Sequence, residues 1–95
     1  MKAITVLAEP TRLAIVELLA KKGQLSAGEI CVKFHASPSA ISQHLKVLRK
    51  ARLVKVERQA QRRIYRLNPD AMLEVAEWTK KMTHLWHQRI ENGRH

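Results

Sequence analysis

Two helix starts set close together constrain this chain more than any other feature. Ser26-Ala27-Gly28-Glu29 has the form of a capping box, in which the serine side chain accepts from the N3 amide and the glutamate reaches back. Ser37-Pro38 is a second start, a serine at the N-cap followed by proline at the first helical position, where a missing N–H is no loss. A helix opened at Ser26 therefore stops near Phe34 and gives way to a tight turn at His35-Ala36 before the next begins. In that next segment, SPSAISQHLKVLRK, the residues Ile41, Leu45 and Leu48 recur at spacings of four and three and form one apolar stripe. The pattern predicts a helix ending near Ala51 to Leu53, docked by that stripe, with Ser39, Ser42, Gln43, Lys46 and Lys50 pointing elsewhere.

The flanking segments complete a plan. A short helical start from Lys2 to Ala8 meets Glu9-Pro10, where proline restarts a helix that runs through LAIVELLAKK and stops at Gly23. Most of its positions are apolar, so it belongs at the centre. Val54-Lys55-Val56-Glu57 and Ile64-Tyr65-Arg66-Leu67 are β-branched and aromatic runs joined by the polar stretch Arg58 to Arg63, which predicts a hairpin with a basic tip. Asn68-Pro69-Asp70 caps a long last helix, and Val75, Trp78, Thr79, Met82, Leu85, Trp86 and Arg89 keep a 3-4 pattern until Asn92-Gly93 ends it. The expected fold is mainly α with a β-hairpin wing, in the order α-α-α-α-β-β-α: two short capped helices around a tight turn make a helix-turn-helix, and the hairpin makes it winged. With no repeat, low-complexity tract or linker, residues 1–95 read as a single domain, with 70–91 as its C-terminal dimerisation helix.

Charge narrows the function. Eighteen Lys and Arg against eight Asp and Glu give a net +10, a field suited to nucleic acid or an anionic surface. Residues 44–66 hold nine of those eighteen basic residues and one acid, Glu57, whereas 70–91 carry Asp70, Glu74, Glu77 and Glu91 against Lys80, Lys81 and Arg89. The basic charge is thus a patch that excludes the last helix. With the stripe docked, the helix that begins at Ser37 presents Ser37, Ser39, Ser42, Gln43, His44 and Lys46, whose short donors and acceptors reach phosphates or base edges. Gln43 can pair bidentately with adenine, and His44 either enters the groove, touches phosphate or packs behind Gln43. Arg58, Arg62 and Arg63 are expected at the wing, tracking the backbone or entering a minor groove. Taken singly, serines at a helix start are cap chemistry and arginines a solvated face; it is their coincidence with the motif order that points to duplex DNA.

A chain this short buries little surface alone, so a partner covering more apolar area is expected. The stripe Val75, Trp78, Thr79, Met82, Leu85, Trp86 reads as a dimer seam rather than a cofactor box, since helix packing across a two-fold axis supplies the surface two tryptophans need. No apolar run approaches the roughly 18 residues of a membrane span, and MKAITVLAEPTR lacks a signal-peptide pattern, so no membrane partner is expected and the cytoplasm is the expected location. The single cysteine, Cys31, excludes an intrachain disulfide. No paired carboxylates, phosphate loop or activated nucleophile converge, so the chain is not expected to be an enzyme. A basic RNA-binding protein is the rival reading, and its discriminator is exposed aromatic surface for stacking on unpaired bases: the basic region offers only Tyr65, which suits the hairpin core.

The stretches LAEPTRLAIVELLA, LSAGEI, SPSAISQHLKVLRKARLVKVER and RRIYRLNPD resemble the successive signatures of the ArsR/SmtB family of bacterial winged-helix repressors, from about Leu7 to Trp86. The resemblance implies a homodimer built on the first and last helices, a palindromic double-stranded DNA operator, and repression by promoter occlusion. LNPDAMLEVAEWTKKMTHLW is similar to a metal-independent branch, often autorepressors, some encoded beside a lipid-binding-like protein. A variant of this reading adds a small molecule, metal or oxidant that releases the operator.

Departures from the family pattern separate sensing from binding. Its thiol site pairs two cysteines one residue apart, and ICVKF keeps Cys31 but has Lys33 in the second place; a soft metal needs two or three sulfurs. Its other metal site begins with an Asp-x-His pair in the last helix, and Asp70 is followed by Met72 instead. No resident metal or cofactor is therefore expected. His84, His87 and Glu91 share a helical side and can coordinate zinc only if another ligand joins them; the commoner meaning is a solvated face. Cys31 with His35 has no third partner, and a small cysteine near a helix start is usually packing, although redox modulation through Cys31 stays open. Ala60 stands where the wing usually has glycine, which argues against a tight turn, and Pro38 replaces a common glutamine, which removes one base contact.

Overall fold

The computed structural model describes residues 2–93, so Met1, Arg94 and His95 of the expected single domain lie outside the described residues. Helix α1 spans Lys2–Leu7 and α2 spans Pro10–Lys22. Between them Glu9 acts as the N-cap, its carboxylate accepting from the Arg12 amide at 2.8 Å, and Gly23, at φ +84°, closes α2 by donating to the Leu19 carbonyl. Strand β1 (Gln24–Ser26) leads into α3 (Ala27–Phe34), which opens on the expected capping box. Ser26 Oγ accepts from the Glu29 amide at 3.1 Å, and Glu29 Oε1 accepts from the Ser26 amide at 2.9 Å. His35 ends α3 in the left-handed region at φ +50°, and Ser37 caps α4 (Pro38–Lys50) by accepting from the Ala40 amide at 3.2 Å.

Strands β2 (Val54–Gln59) and β3 (Arg62–Leu67) form the wing, followed by α5 (Pro69–Asn92) capped by Asn68. Asn68 also ties the wing base to the end of α4, its amide donating to Leu53 O at 2.9 Å and its side chain to Arg52 O at 2.8 Å. The expected winged helix-turn-helix is what the chain forms, with one element more than the sequence reading held. That element is β1, which pairs antiparallel with β3 and gives a three-stranded sheet of order β1-β3-β2.

The wing also differs in extent. Its strands reach Gln59 and begin at Arg62, because the ladder continues through the pairs Arg58↔Arg63 and Gln59↔Arg62. The expected long polar connection is thereby reduced to Ala60-Gln61. Polar side chains do not oppose pairing on a ribbon whose faces meet water. The tight turn forms without glycine, with Ala60 held at φ +56°. A Cβ in that region is strained by about 1 kcal/mol, and glycine suits the first loop position of such hairpins. Ala60→Gly is therefore expected to raise unfolding stability by roughly 0.5–1 kcal/mol, read from the denaturant midpoint.

The core explains the orientation of the helix-turn-helix. Ile15 and Leu19 of α2, Ile30 of α3, and Ile41, Leu45 and Leu48 of α4 are fully buried together with Leu53. The stripe on α4 is thus the docking face, and its opposite side is fixed outward. Helix α5 touches this core only near its start, with Ala71 buried and Met72 and Val75 packed against the cluster. Its remaining turns extend from the body of a molecule measuring 62 × 23 × 21 Å.

Candidate nucleic-acid interface

Opposite the buried stripe, α4 carries Ser39, Ser42, Gln43 and Lys46 around a shallow concavity. All four are exposed, as is Ser37 at the helix start. Lys50 extends the row at the same 3-4 spacing, a continuation that the periodicity of the sequence already contains. The row combines short hydroxyls, one amide able to donate and accept at once, and a cation, on a helix whose width suits a major groove.

His44 stands apart from that row. It lies three residues after Ile41 and four before Leu48, on the flank of the docking stripe, and is half-buried. Its Nδ1 is 3.6 Å from Glu9 Oε2 at the start of α2. The Arg12 amide above all, then the Thr11 amide, with the His44 and Arg12 side chains assisting, hold the Glu9 carboxyl below the usual carboxylate range. Arg12 in turn donates through Nε to Val6 O at 2.9 Å, so α4 is linked through Glu9 to α1. Glu9 had no mark in the sequence beyond its place before a proline.

The three wing arginines also divide. Side chains of directly paired residues share a face, and faces alternate along a strand. Arg58 and Arg63 are such a pair, on the face that further in carries Val56 and the buried Tyr65. Two like charges directly opposed are unfavourable unless an anion sits between them. Arg62 falls on the other face, where its Nη2 donates to Glu29 Oε1 at 3.0 Å. The Ser26 amide first, then the Ser26 hydroxyl, with the Arg62 guanidinium assisting, keep the Glu29 carboxyl below its ordinary range. At the wing base Arg66 stands 3.7 Å from Glu57.

The remaining candidates are spread out. Val75, Trp78, Thr79, Met82, Leu85 and Trp86 lie along one side of α5, continuing the face that Ala71 and Val75 dock on the core. In the single chain that side is open, with Trp78, Leu85, Trp86 and Ile90 between 37% and 60% exposed. His84, His87 and Glu91 occupy the opposite side of α5, and among the described residues no group of three or more His, Cys, Asp or Glu is gathered as a metal would need. Cys31 is half-buried against the core cluster, and Lys33, two residues further along α3, is exposed.

Residues 9–56, from the Glu9 cap to the middle of β2, match the family model described as bacterial regulatory protein, arsR family. The chain belongs to the arsR family. Among relatives of this arsR chain is the HTH-type transcriptional regulator Rv2034 of Mycobacterium tuberculosis, 41% identical, with the alignment covering 86% of this chain and 80% of that one. The transcriptional repressor SdpR of Bacillus subtilis is 35% identical over 76% of this chain and 79% of its own. A crystal structure described as a "possible transcriptional regulator for arsenical resistance" superposes with a TM-score of 0.78 at 36% identity, covering 86% of this chain and 84% of that one. The arsR-family protein is accordingly a DNA-binding transcriptional regulator and not an enzyme. None of its described helices is long and apolar enough to cross a membrane.

Proposed function

We propose that the protein is a homodimeric repressor that occupies a palindromic operator, its own upstream region being the first candidate, without a resident metal. Ser37, Ser39, Ser42, Gln43 and Lys46 meet the major groove, and Arg58 and Arg63 meet the backbone beside it. His44 and Arg62 serve the same interface through Glu9 and Glu29. The observation that carries this reading is that a polar row on a core-docked helix and an opposed arginine pair on the wing stand on two elements joined by one short turn. The uncovered apolar side of α5 supports the dimer, and two copies present two recognition helices at a spacing of about 34 Å, one turn of DNA. Lys33 in place of a second thiol, and Met72 in place of a first histidine, support metal independence.

The test is binding of the purified protein to duplex from its own upstream region and to a scrambled duplex, across salt, with and without zinc and a mild oxidant. Two chains per specific site, unaffected by zinc or oxidant, is the expected result. Gln43→Ala is expected to lower discrimination between the two duplexes by about tenfold, the range of one bidentate base contact, while leaving scrambled-duplex affinity unchanged. Equal affinity of the wild type for both duplexes would overturn the operator reading in favour of an architectural or RNA role.

A further inference from the structure

Among the described residues, no third strand joins the outer wing. Strand β1 pairs with β3 only from Ser26↔Ile64 to Gln24↔Arg66, so Arg58 to Arg63 form a two-stranded ribbon beyond the sheet. Such ribbons are marginal in isolation and variable in twist, and their angle to the body is set by whatever else they touch. The ribbon tip borders the start of α3, where Gln61, Arg62 and Arg63 share a cleft with Ser26, Ala27 and Gly28, and the hydrogen bond between them runs from Arg62 to Glu29. Glu29 is itself fixed, because the same Oε1 accepts from the Ser26 amide in the capping box that opens α3. The carboxylate is therefore a rigid anchor on the helix-turn-helix, and the guanidinium a fork reaching it from the ribbon. On the opposite face of the ribbon stand Arg58 and Arg63.

We propose that Arg62 and Glu29 are positioning residues for DNA binding: their ion pair latches the wing to the start of α3, and so holds the Arg58-Arg63 pair at the angle at which it meets the DNA backbone. The proposal rests on the duplex-binding reading above. It assigns Arg62 to the fold of the interface rather than to a phosphate. Glu29→Gln keeps an acceptor for the Ser26 amide, as capping boxes use either residue, and removes only the charge facing Arg62.

The test is a thermodynamic cycle on duplex affinity at roughly 0.15 M salt with the full chain: wild type, Arg62→Gln, Glu29→Gln and the double variant, with the first two substitutions repeated in an Arg58→Gln/Arg63→Gln background. Each single variant is expected to weaken binding about threefold, the scale of an exposed ion pair. The double variant should lose no more than either single one, and the salt slope should stay at the wild-type value. In the background lacking Arg58 and Arg63 the latch substitutions should have no further effect, whereas a role in overall stability would persist there. A salt slope lowered by about one in Arg62→Gln, with tighter binding in Glu29→Gln, would make Arg62 a phosphate contact for which Glu29 competes and would overturn the proposal. Additive losses would overturn it too. Measuring the cycle on scrambled duplex as well separates the two readings, since a chain without sequence preference still shows whether the latch acts through Arg58 and Arg63.

Discussion

Met82→Glu combined with Trp86→Glu is expected to produce a folded protein that sediments as one chain rather than two and binds its operator at least about 100-fold more weakly. The reason begins with the periodicity of α5. The side of the helix that packs Ala71 and Val75 against the core continues outward as Trp78, Met82, Leu85, Trp86 and Ile90, all exposed in the single chain except the half-buried Met82. Burial there is available only against another surface, and a second copy of the same helix offers a matching one. Two carboxylates per chain would be brought together at the centre of that seam, where desolvation and like charge both oppose association. Because α5 leaves the body after its first turns, the domain core does not depend on these positions. Separate chains must then find two half-sites independently, which removes the effective-concentration gain of linkage. The salt slope should fall to about half, since each chain releases only its own share of counterions. Gln88→Glu, on the other side of α5, is the control expected to change neither mass nor affinity. A double variant that remained two chains would show that the seam lies elsewhere.

Arg58→Gln together with Arg63→Gln is expected to move binding and stability in opposite directions. Each arginine released from a phosphate lowers the salt slope by about 0.9 per site, so a dimer losing four contacts should bind about 100-fold more weakly at physiological salt, on operator and scrambled duplex alike. Stability should rise by up to about 1 kcal/mol, because the two cations are directly paired across the wing and repel when no anion lies between them. Residues kept for folding would behave in the opposite way, losing stability and leaving affinity intact. Salt titration and denaturant unfolding on the same preparation separate the two cases. Unchanged affinity with lowered stability would remove the wing pair from the interface.

The division of labour among the polar residues was only partly legible. For α4 the information is local: a helix period relates every position to the stripe Ile41, Leu45, Leu48, and the outward row follows from it. The same period puts His44 on the flank of that stripe, so its turn toward the body was available in the sequence, and only the identity of its partner, Glu9, was not. For the wing the period of two is useless until the register is known, because a shift of one residue exchanges the faces. Treating Arg58 to Arg63 as one basic tip therefore merged a pair on one face with a residue on the other.

What the sequence by itself determined are the features decided within a few residues: the capping box at Ser26 and Glu29, the Ser37-Pro38 start, the stop at Gly23, the Asn68-Pro69 start of α5 and the clustering of basic charge. Side chains there meet backbone one turn away, so neighbouring residue types are sufficient. The tertiary structure alone decided β1, whose three residues become a strand only because Arg66, Tyr65 and Ile64 of a distant segment arrive beside Gln24, Leu25 and Ser26. It also decided that Glu29 holds Arg62 and that Glu9 faces His44. Those contacts join residues far apart in the chain, and their geometry exists only after the core formed by Ile15, Leu19, Ile30, Ile41, Leu45 and Leu48 has fixed α2, α3 and α4 against the sheet.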